Sequence, residues 1–294
     1  MALVSTSVAA APGVRDRFGG TSARILVVAH RGCHNAAPGH GLPSAPENSI
    51  AALENCVRIG ADMMETDVRQ TADGELVMIH DDTLERTTTG SGRVRNKTLA
   101  ELRTLRLREN LGGKDAAPTD QRIATLDEML AAAHGRMHLN LDVKDAIYVE
   151  VIAAVERAGM QDQVIVKTVA GPNSPALAAL SPYDRVPFAP ILLNPHGDAD
   201  LGAIALRQTA GKRPIAIELP QMSPEQLPAV VAHANGVRLW VNTLWSGFIT
   251  GWGGDAAALR DPDQVWGRMY RAGISIFQTD EPEALLAFRA TQRL

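Results

Sequence analysis

From residue 25 onward, short apolar and β-branched runs alternate with stretches of helical periodicity, and the alternation continues to the end of the chain. The strand-like runs lie at 25–29, 63–68, 138–143, 164–168, 189–193, 215–219, 239–243 and 275–278. Short strands separated by helices form a parallel sheet with the helices packed on it. About eight such strands close the sheet on itself, so the expected fold is an α/β (β/α)₈ TIM-type barrel.

The helices carry their own start and stop signals. Thr98 with Glu101, Thr125 with Glu128, and Ser223 with Gln226 each set a hydroxyl residue three positions before a carboxyl or amide. At that spacing the two side chains can satisfy each other's orphan backbone amides at a helix start. Gly60, Gly135, Gly159, Gly236 and Gly273 stand where helices should stop, in the left-handed conformation that glycine adopts cheaply.

Two stretches break the repeat. Residues 83–122, with several glycines, many charges and one short helix expected over 98–105, read as a small insertion subdomain after strand two, lying over one face. Residues 246–263, rich in Gly and Trp, predict a loop at the barrel mouth.

With 294 residues, 45% of them hydrophobic, the chain suits a single domain over 24–294. Residues 1–23 read as a disordered leader, because the small apolar residues of 1–13 lack a basic start and are interrupted by Ser5, Thr6 and Ser7. Without a clear signal peptide the cytoplasm is favoured, and a periplasmic or secreted location stays open. A net charge of -4, with Lys and Arg spread along the chain, leaves no footprint for nucleic acid or an anionic membrane. No apolar run approaches the roughly 18 residues of a membrane span. The expected partner is therefore a small molecule, with any phosphate recognised locally; the oligomeric state is not fixed by the sequence. Cys33 and Cys56 have neither the number nor the spacing of a disulfide framework or a zinc site, and a bridge between them is not expected.

In a parallel barrel the active site lies at the carboxyl ends of the strands, which makes polar residues ending apolar strands the ones to weigh. The first strand runs into His30-Arg31-Gly32, the second carries Glu65 and Asp67, and the third carries Asp142 and Lys144. Residues two apart on a strand share a face, here the barrel interior. Three carboxylates converging there would repel one another and lose hydration unless a cation lies between them. Oxygen ligands favour Mg²⁺ or Ca²⁺, with Mn²⁺ as a third choice. His80 ends the apolar run 76–79 after the turn Asp73-Gly74, and with His30 it offers an acid and a base that titrate near neutral pH. Arg31 and Lys144 supply fixed positive charge for a phosphate. His34 and His40 lie in a Gly- and Pro-rich loop within reach of substrate, whereas His134, His138, His196 and His233 read as helix, strand or surface positions.

These residues fall in ordered motifs: His30-Arg31-Gly32, Pro46-Glu47-Asn48-Ser49, residues 60–68 around Glu65 and Asp67, residues 71–74, His80-Asp81, residues 86–92, residues 141–144, and residues 278–282. In this respect the chain resembles the glycerophosphodiester phosphodiesterase family over about residues 25–290. The resemblance implies metal-dependent hydrolysis of a glycerophosphodiester to glycerol 3-phosphate and an alcohol. It implies His30 and His80 as the acid–base pair, Glu65, Asp67 and Asp142 as ligands of one divalent cation, and Arg31 and Lys144 as phosphate holders. Glu47 would touch the ion or support a residue that does. Many relatives have Glu in place of Asp142, and the family's late Trp-Thr-Val-Asn appears here one residue shorter as Trp240-Val241-Asn242. Trp240 would wall the glycerol, and Glu218 and the loop 251–255 would read the leaving alcohol, with glycerophosphocholine one candidate. Two rivals remain: a phospholipase D or sphingomyelinase D-like cleavage of a lysolipid, and a non-catalytic barrel that only binds a phosphorylated ligand.

Overall fold

The computed structural model describes residues 13–19, 24–193 and 199–292. Eight parallel strands close into a barrel: β1 (Leu26–Ala29), β2 (Met63–Gln70), β4 (His138–Val143), β5 (Val164–Ala170), β6 (Phe188–Leu192), β7 (Ala216–Leu219), β8 (Arg238–Asn242) and β9 (Ile274–Thr279). Closure comes from β1, which pairs with β9 on one side and with β2 on the other. Every expected strand forms, with ends displaced by at most two residues. A ninth strand, β3 (Leu76–Met78), pairs antiparallel with the end of β2. The two form a hairpin that rises beyond the barrel rim and returns, so that the Ile79 N–H reaches the Asp67 carbonyl at 3.1 Å and His80 follows at the level of the acids.

The outer helices are α2 (Ile50–Ile59), α4 (Leu126–Ala133), α5 (Tyr148–Arg157), α6 (Leu201–Gln208), α7 (Leu227–His233) and α10 (Pro282–Thr291), with short turns α8 (Asp255–Ala258) and α9 (Arg268–Arg271) before β9. Leu and Val side chains on their inner faces join outward residues of the strands in two apolar cores flanking the barrel. The capping boxes at Thr98 and Thr125 form in full; at Ser223 only the bond from its N–H to Gln226 is made, and the helix starts later, at Leu227. All five expected stop glycines have positive φ.

Residues 83–122 form the expected insertion, with α3 (Leu99–Leu102) shorter than expected. Leu84, Val94, Leu102 and Leu107 give it an apolar centre, which is continuous with Val77 and Ile79 beside the hairpin. The loop after β8 leaves the rim as expected and contains α8.

Two expectations are corrected. Part of the expected leader is ordered: α1 (Val14–Phe18) buries Val14 and Phe18 completely against Leu26, Val28, Met63 and Trp240 inside the barrel floor. Phe18 also meets the His138 ring edge-on at 5.8 Å. Arg17 adds a bond to the fully buried Asp62 at 2.5 Å, and Arg289 from the last helix reaches the same carboxylate. The apolar plug, invisible to any periodicity over so short a helix, closes the end opposite the active rim. Residues 1–12 and 20–23 of that leader, and His196, lie outside the described residues. Secondly, Cys33 and Cys56 form a disulfide, with their Cα atoms 5.1 Å apart. The turn after β1 packs onto α2, and that contact, not sequence spacing, brings the two sulfurs together.

Among the described residues no helix is long and apolar enough to cross a membrane. Because the plug lies at the far end of the barrel, Phe18→Ala is expected to cost about 3–5 kcal/mol of stability while leaving KM unchanged. Chemical denaturation and steady-state kinetics on the same preparation check this.

Candidate active site

His30 leaves β1 with its backbone N–H on the Thr279 carbonyl at 3.1 Å, which seats it at the rim between β1 and β9. The chain then turns sharply. Arg31 has a φ of 51° and Gly32 a φ of 85°, and a Cβ on Gly32 would meet Ala52 Cβ at 2.7 Å, so only glycine fits. The turn aims the Arg31 N–H at Glu65 Oε2, 2.8 Å away. Pro46-Glu47-Asn48-Ser49 serves a second purpose. Ser49 caps α2 by accepting from the Ala52 N–H at 3.0 Å, while Asn48, at a φ of 57°, turns its side chain into the barrel. Asn48 donates to Asp67 Oδ2 at 2.8 Å and accepts from the Asp67 N–H at 2.9 Å.

Glu65, Asp67 and Asp142 each present an oxygen within 4.8 Å of the others. Register explains it: Asp67 pairs directly with Asp142 across β2 and β4, and Glu65 lies one inward position below. Lys144 Nζ lies 2.9 Å from both Asp67 and Asp142. Burial, then the Asp67 and Asp142 charges, push the Glu65 carboxyl well above the usual carboxylate range. Burial acts the same way on Asp67, but Lys144, His80 and Arg31 outweigh it and hold that carboxyl below its ordinary value. Lys144 is raised: burial opposes its charge, and the three acids more than restore it. With all three acids ionised the cluster would carry one negative charge more than Lys144 and Arg31 balance, and its donors are all hard oxygens, which fits a divalent cation of the Mg²⁺ or Ca²⁺ kind.

Both candidate acid–base histidines are oriented alike. His30 Nδ1 lies 2.8 Å from Asp280 Oδ1, and His80 Nδ1 lies 2.7 Å from Asp81 Oδ1. Each pairing leaves Nε2 as the nitrogen for proton transfer. Burial lowers the His80 pKa, partly opposed by the Asp67 charge, so its ring is neutral at pH 7. Asp81 is held well below the carboxylate range by Arg86, whose fork takes both Asp81 oxygens at 2.7 and 2.9 Å and both Glu47 oxygens at 2.7 and 2.8 Å. Glu47 also binds Arg31 at 3.1 Å, so it supports the site through two arginines.

Several expected substrate contacts are corrected. Trp240 is fully buried in the floor layer, with Lys167 Nζ 4.8 Å above its ring, so it cannot wall a substrate. Glu218 is 3% exposed and pairs with Lys167 Nζ at 2.5 Å and Asn242 Nδ2 at 2.9 Å, so its carboxylate is taken up inside the barrel and does not read an alcohol. In the loop 251–255, Asp255 is buried and accepts from Thr243 at 2.6 Å and from the Asp280 N–H at 2.8 Å. Trp252 packs under the Arg268 guanidinium at 4.5 Å. His34 is buried against Asp280 and His40 bonds Glu283 on the outer surface at 2.6 Å, so neither lies open to substrate.

Reading the sequence for strand ends missed Lys167, Arg86, Asn48 and Asp280 as site residues. Lys167 had a signal, as the one charge within the apolar run 164–168.

The family model of the Glycerophosphoryl diester phosphodiesterase family matches residues 30–174, and a model of a domain of unknown function matches residues 193–289. Over 273 residues the chain is 29% identical to a glycerophosphodiester phosphodiesterase of Caldanaerobacter subterraneus subsp. tengcongensis, covering 90% of this chain and 97% of that protein. The chain belongs to the glycerophosphodiester phosphodiesterase family. It is accordingly a phosphoric diester hydrolase. Solved structures share its fold. A glycerophosphoryl diester phosphodiesterase from Parabacteroides distasonis superposes with a TM-score of 0.69 at 24% identity, covering 96% of this chain and 93% of that one. A phosphodiesterase from Oleispira antarctica, solved in complex with the product sn-glycerol 3-phosphate, superposes with a TM-score of 0.61 at 22% identity, covering 90% and 96%. The family match begins at His30 and takes in the three acids, His80, Arg86 and Lys144, whereas Asp280 lies beyond it.

Arg86→Lys keeps the charge but loses the fork that ties Asp81 to Glu47. The expected result is a fall in kcat of about 10–100-fold, the usual cost of losing a residue that orients a reacting group, read by steady-state turnover of a diester substrate.

Proposed function

We propose that this phosphodiesterase hydrolyses a water-soluble glycerophosphodiester to glycerol 3-phosphate and an alcohol. His30 and His80 are its acid–base pair, and Glu65, Asp67 and Asp142 hold one divalent cation. The observation that carries the reading is the convergence of three acids within 4.8 Å at the rim, flanked by two histidines each turned by a carboxylate on Nδ1. The substrate class comes from the named activity of the Caldanaerobacter relative and from the product in the Oleispira complex.

The chemistry follows from these positions. One imidazole takes the proton of the neighbouring glycerol hydroxyl as its oxygen attacks phosphorus. The other gives a proton to the departing alkoxide, and the roles exchange when water opens the cyclic phosphate. Arg31 and Lys144 place positive charge beside the phosphoryl oxygens. A bound Mg²⁺ or Ca²⁺ would neutralise charge on those oxygens and acidify the attacking hydroxyl. The insertion 83–122 belongs to the same domain and covers the rim, bringing Arg86 and Asn110 to the site.

Assay of glycerol 3-phosphate release tests the proposal. EDTA, His30→Ala and His80→Ala are each expected to lower kcat by at least about 100-fold, the scale of positioned proton transfer, with Mg²⁺ or Ca²⁺ restoring the chelated enzyme. Because the His80 pKa lies below its ordinary value, the rate should hold from neutral pH to below about 6.5 and then fall as that ring takes up a proton. Full activity of either histidine variant would reject the acid–base assignment, and faster turnover of lysophosphatidylcholine than of glycerophosphocholine would favour the lysolipid reading.

A further inference from the structure

The donors and acceptors around His34 leave a single assignment for its ring. His34 is 1% exposed, and its Nε2 lies 3.0 Å from Asp280 Oδ1, the atom that also takes His30 Nδ1. Its Nδ1 lies 3.1 Å from Asn110 Oδ1, at the tip of the insertion. Other partners fix the Asn110 amide. The Leu111 N–H donates to Asn110 Oδ1 at 2.7 Å, and Asn110 Nδ2 donates to Asn35 Oδ1 at 2.7 Å. Asn35 is fixed in turn, since its Nδ2 donates to the Asp280 carbonyl and the Glu281 carboxylate, each at 2.9 Å. Flipping either amide would set donor against donor and acceptor against acceptor. His34 therefore faces an amide oxygen on one side and a carboxylate on the other, and both ring nitrogens donate.

We propose that His34 is a positioning residue of this active site: a buried imidazolium that clamps Asp280 from one side and Asn110 from the other, and through Asp280 fixes the ring of His30. The inference rests on the acid–base reading of His30 given above. Burial would raise the Asp280 carboxyl, but the bonds from His30 and His34 outweigh it and hold it below the usual range, which keeps the shared proton on the imidazole. Glu281 also faces His34, and Asp255, pushed up to about 7 by burial, holds the Asp280 N–H from behind. The clamp continues further. The Leu111 carbonyl accepts from Arg86 at 2.6 Å, and Arg86 holds Asp81 against His80. A continuous run of polar contacts thus connects the two histidines through the insertion, with His34 at the joint between insertion and barrel.

Long-range ¹H–¹⁵N spectra of ¹⁵N-histidine-labelled protein at pH 7.5 test the assignment directly. Both nitrogens of His34 should carry protons; a bare nitrogen would overturn the proposal without touching the role of His30. In His34→Ala, kcat is expected to fall about 10–100-fold with KM within about twofold. The alkaline limb of kcat/KM should move to higher pH, because a positive charge beside the Asp280–His30 pair is gone and His30 is the ring that enters with a proton when His80 enters without one. A folded His34→Ala with unchanged kcat and an unchanged profile would also overturn it. Should that variant not fold, the wild-type spectrum decides. Full activity of His30→Ala would remove the acid–base reading and the positioning role with it, while leaving the His34 spectrum as expected.

Discussion

Three carboxylates forced together at one rim of a closed sheet are the constraint on which the rest of this structure depends. Each buried charge loses several kcal/mol of hydration, and each repels the other two at close range. Lys144 and the Arg31 side chain offset part of that, and the bonds from Asn48 and the Arg31 N–H take up oxygens that would otherwise be bare. Glu65, with its carboxyl driven upward, shows where the compensation falls short. A fold that keeps such a cluster holds a cation there or gives up stability for nothing.

The surrounding architecture delivers its groups to that point by separate local devices. A left-handed turn after β1 brings His30 and the Arg31 N–H, and an N-capped helix brings Glu47 and Asn48. A hairpin that overshoots the rim and comes back brings His80. The insertion then ties these together, since Arg86 spans Asp81 and Glu47 and Asn110 meets His34. The insertion therefore orients groups of the candidate site, although residues 83–122 supply neither histidine and none of the three acids.

The barrel was legible in the sequence because its strands are defined by local runs, and β2 and β4 expose their acids by period-two alternation within a few residues. What stayed hidden was pairing over long separations. Lys167 with Glu218, Cys33 with Cys56, and His34 with Asp280 are contacts that only the closed sheet or the helix packing creates. The family resemblance set Glu218 and Trp240 at the mouth. Trp240 instead packs in the apolar floor layer, and Glu218 is held inside the barrel by Lys167 and Asn242. The plug helix α1 was hidden for another reason: five residues carry too little periodicity to announce a buried face.

The central claim is that Glu65, Asp67 and Asp142 share one ion at the site of phosphate binding. Anomalous diffraction from crystals soaked with Mn²⁺ and glycerol 3-phosphate tests it most directly. The account predicts a single strong peak at oxygen-ligand distance, about 2.0–2.4 Å, from all three carboxylates, with a phosphate oxygen on the same ion. A peak elsewhere, or an ordered phosphate with the three acids held by Lys144 and Arg31 alone, would contradict it.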